Sequence, residues 1–154
     1  MSVPHATATR PGTRRSHAWA LVLAATLGLA GPGCAMVEKD RRAVALQAAT
    51  NGYQSALRWG YFDNALAFLA PEQRRDPALV EQLAGLRLTG YEVVQPPVIQ
   101  EDGRATQTVV IDYLRVDTQV VRRMTDRQVW RWDETMKTWW LDSGLPDFGG
   151  KPTP

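Results

Sequence analysis

The chain has 154 residues with 18 basic, 16 acidic and two histidine side chains, a formal net charge of +2 and a sequence pI of about 8.9. Arg10, Arg14 and Arg15 precede every acidic residue, so from Cys34 onward 15 basic side chains face 16 acidic ones, and the basic excess gives no argument for a nucleic-acid partner. His5 and His17 also lie upstream and Cys34 is the single cysteine, which excludes Ser/His/Asp and Cys/His nucleophilic arrangements, imidazole or thiolate zinc sites and internal disulfides from the rest of the chain.

The first element is an address. A basic end, Arg10 to His17, precedes the apolar run Ala18 to Ala30 and then Gly31-Pro32-Gly33-Cys34, the order of a secretory leader with small residues before the cut. The run is short for a spanning helix, which needs about 20 residues, so removal on export is expected in place of a retained span. Ser16 and His17, after the Arg14-Arg15 pair, are not the hydrophobic residues of a twin-arginine signal, which favours the general secretory route. With a cysteine at the cut, the segment resembles the signal of a bacterial lipoprotein, although Gly31 stands where that family has leucine. The resemblance implies a signal peptide over 1–33 and Cys34 as the first mature residue, acylated on sulfur and amine. With Ala35 following in place of aspartate, it also implies the periplasmic face of the outer membrane of a Gram-negative bacterium. The alternative is an ordinary secreted protein whose cysteine is incidental.

Residues 34–39 are expected to be a tether, 40–148 a single domain and 149–154 a flexible tail. Leu46, Ala49, Tyr53, Ala56 and Leu57 recur at helical spacing and predict a helix from about Asp40, its N-cap, to Gly60. An aromatic turn, Trp59 to Asp63, leads to a second helix over about 63–69. A third begins near Pro71 or Pro77, with Leu79, Val80, Leu83 and Leu86 as its buried face; Arg74-Arg75 between the two reads as solvated.

After Arg87 the period changes to two. A strand over 88–94 meets Pro96-Pro97, which confines it to a sheet edge or a bulge, and a short extended piece, 98–100, precedes a type I′ hairpin signal at Asp102-Gly103. Thr106 to Val116 is the next strand, with Val109, Ile111 and Tyr113 on one face and Val110 and Asp112 on the other. A strand over 120–133, bulged near Thr125-Asp126, closes through Glu134 to Thr138 onto Trp139 to Ser143. An even loop pairs Trp132 with Trp139, Trp130 with Leu141 and Arg131 with Trp140, the last a candidate cation–π contact. Phe148 is expected to cap the sheet.

This order, with Tyr53, the Gly60-Tyr61-Phe62 turn and the final Trp-flanked hairpin, resembles the nuclear-transport-factor-like superfamily. The resemblance implies an α+β fold in which N-terminal helices pack against a bent antiparallel sheet of about four strands to form a cone. That superfamily includes enzymes, pocket binders and scaffolds, and no catalytic residue transfers by motif. The candidate pocket set is Tyr53, Trp59, Tyr61, Tyr113, Asp112, Trp130 and Trp132; such aromatics more often form a core, and a charged residue such as Asp112 more often takes a surface place, here beside Arg122 or Arg123. The expected activity is a non-catalytic interaction or assembly domain held to the membrane by its lipid anchor, with an envelope protein or a second copy as partner, and with no cofactor, metal or nucleic acid. The alternatives are a binder of a small apolar or amphipathic ligand and an enzyme built on a lone carboxylate.

Overall fold

The computed structural model describes residues 32–149. Residues 1–31 of the expected signal peptide, the side chain of Cys34 and residues 150–154 of the expected tail lie outside the described residues. Helix α1 spans Pro32–Trp59, so Asp40 lies inside it and the expected tether is helical backbone. Proline suits a first helical turn, and Ala35-Met36-Val37-Glu38-Lys39 contains no residue that would break the helix before Asp40. Leu46, Thr50, Tyr53, Ala56 and Leu57 form its buried face.

Helix α2, Phe62–Leu66, is shorter than expected because the chain leaves the helix to extend the sheet. Leu69 bridges Leu141 in parallel, and the Leu141 N–H donates to the Phe68 carbonyl at 2.7 Å. A 3-10 turn, Gln73–Arg75, leads to helix α3, Ala78–Leu83. Two expectations for α3 are corrected: Val80 is exposed, and Leu86 already belongs to the sheet. Gly85, with φ +69°, ends the helix before Leu86.

Four antiparallel strands complete the domain in the order β1-β2-β3-β4: Leu86–Ile99, Arg104–Arg115, Arg122–Asp133 and Thr138–Leu141. Strand β1 runs through Pro96-Pro97 as one edge strand whose register shifts between Leu88 and Gly90 and on either side of Gln95. An edge tolerates proline and bulges because one row of its backbone groups needs no ladder partner. The β1–β2 turn is not type I′: Gly103 has φ +79° while Asp102 stays out of the left-handed region. The Gly103 N–H donates to Gln100 O and the Gln100 N–H to Arg104 O, which is a type I turn closed by a left-handed glycine. The β2–β3 register is continuous, so the expected bulge at Thr125-Asp126 is absent.

The final hairpin pairs Trp130 with Leu141, Arg131 with Trp140 and Trp132 with Trp139, as parity requires. The Arg131 guanidinium does not stack on Trp140, however. It binds Asp142 at 3.2 Å and Glu72 at 2.9 Å, and Arg74 covers Trp140 at 4.8 Å instead. Arg74 is exposed, as expected, and the Leu69 and Ala67 carbonyls hold it over the ring.

The helices pack on one face of this α+β sheet. From Glu38 onward the chain forms one compact unit, closed by Phe148 lying edge to face on Tyr113 at 5.2 Å. On the opposite face Gly90 sits against Asp112, where an added Cβ would lie 2.9 Å from Oδ2 and 3.2 Å from the Asp112 Cβ. Gly90→Val is therefore expected to push Asp112 aside and lower the melting temperature by roughly 5 °C, measured by thermal unfolding.

Candidate functional site

The continuous register of β3 determines the site. Asp126, Gln128, Trp130 and Trp132 alternate onto the inner face, where Gln128 lies across from Gln107 and Asp126 across from Val109 on β2. From β1, beyond its first register shift, Tyr91 joins them; α1 supplies Tyr53 from above. The Gln128 amide donates to the Tyr91 hydroxyl at 2.9 Å and to Asp126 Oδ2 at 3.0 Å. Gln107 is 2 % exposed, while Gln128 and Tyr53 are fully buried.

Burial sets the protonation of this cluster. It pushes the Tyr53 hydroxyl well above its ordinary value, with the charge of Asp126 adding to the effect. Burial pushes Tyr91 up to about 12, opposed by its bond to Gln128. Asp126 is also raised, again by burial against the lowering effect of Gln128. The Tyr53 hydroxyl, the Gln107 and Gln128 Oε1 atoms and the Trp130 Nε1 are buried without a hydrogen-bond partner among the described residues. These atoms are two amide acceptors, an indole donor and a hydroxyl, all enclosed by the core. Among the described residues no three His, Cys, Asp or Glu side chains gather as metal ligands, and no described helix is long and apolar enough to cross a membrane.

A raised carboxylate has a definite sign in stability. The folded state holds the Asp126 proton more tightly than the unfolded chain, so stability falls as pH rises from the ordinary 3.8 through the raised value, and the penalty is complete above it. Asp126→Asn is expected to raise the melting temperature at pH 7, and the gain should vanish below pH 3.8. A gain of equal size at both pH values would show that ionisation is not its cause.

The residues expected from sequence separate into four groups. Tyr53, Tyr113 and Trp130 share the inner face, but as core. Tyr53 meets Trp130 edge to face at 5.8 Å and Phe68 at 6.0 Å. Trp132 is half-buried against Trp139, with Arg42 over its ring at 5.4 Å. Trp59 and Tyr61 do not join them; they are 70 % and 61 % exposed at the end of α1. Asp112 points to the opposite face, where Arg123 grips both carboxylate oxygens at 2.7 and 2.8 Å and holds its pKa below the usual range.

Asp126, Gln107 and Gln128 are the polar residues that sequence reasoning missed. Strict alternation back from Trp130 would have found Gln128 and Asp126; the expected bulge put Asp126 out of phase. The chain matches no family model, no curated protein and no solved structure.

Proposed function

We propose that the mature chain is a lipid-anchored protein on the periplasmic face of a Gram-negative outer membrane, and that its domain acts as a non-catalytic interaction or assembly module of the nuclear-transport-factor-like kind. One observation carries the interaction reading: Tyr53, Phe68 and Trp130 pack edge to face as core, while Trp59 and Tyr61 stand in solvent. Aromatic side chains of this size contribute most when buried, and Trp and Tyr dominate the energetics of protein interfaces. Asp112, the carboxylate that would serve the enzyme reading, is neutralised by Arg123. The anchor is supported by the order of the leader and by Cys34 at its end. Extraction of the full chain in gentle detergent, with and without prior crosslinking of intact cells, tests the interaction reading. A complex larger than the protomer is expected; a lone monomer under both conditions would overturn it.

A second reading, binding of a small polar or amphipathic molecule at the inner face, is favoured by the four buried polar atoms that lack partners. Native mass spectrometry of protein released without denaturant distinguishes it. A bound mass that disappears in Gln107→Leu supports this reading, and a bare polypeptide mass removes it.

A further inference from the structure

We infer that the end of the domain where α1 stops is the docking surface, and that its occupant is an acidic, apolar segment of another envelope protein. The inference rests on the interaction reading above and names its surface and partner chemistry.

The surface is built by the way α1 terminates. Gly60, at φ +71°, takes the left-handed cap; its N–H donates to Leu57 O at 3.2 Å and the Tyr61 N–H to Ala56 O at 2.8 Å. This paired closure satisfies the last helical carbonyls and reverses the chain within one residue. Such caps usually fold the residue after the glycine back onto the helix. Here Tyr61 remains in solvent, as does Trp59 on the other side of Gly60.

Two concavities flank this turn. The larger, about 610 Å³, has Leu57, Leu86 and Leu88 among its lining, with Trp59 and Val116 beside them and Arg58 and Arg87 as its charged residues. The smaller, about 360 Å³, lies between α2 and α3 and includes Val80. Trp59, Tyr61, Val80 and Val116, from three separate stretches of chain, are each more than half exposed. Isolated exposed apolar side chains are ordinary, whereas Trp59, Val80 and Val116 line these grooves, and such convergence marks an interaction site.

Charge selects the occupant. The larger groove is lined by two arginines and no carboxylate, and neither Arg58 nor Arg87 makes a side-chain hydrogen bond or ion pair with another described residue. An apolar anchor seated beside Trp59 with carboxylates reaching both guanidinium groups meets these conditions. A two-fold contact between copies would set the same arginines against each other, which opposes that assembly. Within the domain, Glu38 to Trp59 spans about 32 Å along α1, so this surface lies at the opposite end of the helix from Glu38.

Val116→p-benzoylphenylalanine in the full precursor, illuminated in intact cells, tests the inference, with Val94→p-benzoylphenylalanine on β1 as the comparison site. The expected result is one discrete adduct from position 116 whose mapped partner peptide carries carboxylates beside an apolar side chain. Arg58→Glu combined with Arg87→Glu should lower its yield about tenfold, and the double lysine variant should retain it. Unchanged circular dichroism of both double variants would confirm that folding is intact. An adduct insensitive to charge reversal, one at twice the protomer mass, or one to lipid overturns the inference. An adduct at position 94 alone overturns this surface and leaves the interaction reading standing; no adduct at either position, together with a lone monomer after crosslinking, removes both.

Discussion

Trp130→Ala is expected to destabilise the domain by about 3–5 kcal/mol, a large part of the roughly 5–15 kcal/mol that holds an ordinary domain folded. Trp130 is fully buried at the centre of the inner face, where β3 places it between Ala105 on β2 and Leu141 on β4. Ala105 is small enough to leave room for the indole, whose ring meets Tyr53 and Phe68 edge to face. Truncation therefore removes apolar burial and two aromatic contacts and opens a cavity that strands on both sides prevent from closing. Trp130→Phe should cost less than half as much, since it keeps an aromatic ring and deletes an Nε1 that has no partner among the described residues. Urea unfolding followed by circular dichroism measures both; a loss below about 1 kcal/mol for the alanine variant would contradict the packing of this core.

Cys34→Ser is expected to abolish palmitate labelling and move the protein from the membrane fraction to the soluble one. Each buried methylene contributes about 0.8 kcal/mol, and although a single chain anchors only marginally, several chains on one residue hold durably. The effect is therefore close to all-or-none in location, whereas the folded domain from Glu38 onward should keep its melting temperature in the variant. Gly31→Leu, which restores the usual residue of the lipoprotein signal, should speed processing or leave it unchanged. Membrane association that survives in Cys34→Ser would show that the attachment lies elsewhere in the chain.

Local physics was legible wherever successive residues met the same kind of neighbour. The three-and-four spacing of Leu46, Tyr53, Ala56 and Leu57 identified the buried face of α1, and alternation placed Val109, Ile111 and Tyr113 inward on β2. Parity through the last hairpin brought Trp132 to Trp139 because an antiparallel pair with an even loop has a single register that keeps both indoles on the same face. The helices-then-meander order came from the change of period after Arg87, whereas the choice of Arg123 over Arg122 as the partner of Asp112 came from the β2–β3 register.

The sequence by itself determined the α+β class, the strand order and which stretch carries no histidine or thiol chemistry, and it limited the final register to what an even loop gives, because each depends on neighbours along the chain or across one turn. Only the tertiary structure decided which cation reaches which ring, and which aromatics are core and which are surface. Arg74 covers Trp140 because carbonyls of the α2 exit hold it there, while Arg131 is drawn away by Asp142 and Glu72. Trp59 and Tyr61 look like core residues in a local window, yet the left-handed Gly60 leaves both in solvent. Asp126 becomes a half-buried carboxylate with a raised pKa because Tyr53, Tyr91 and Gln128 converge on it from α1, β1 and β3, a juxtaposition of distant segments that no local periodicity encodes.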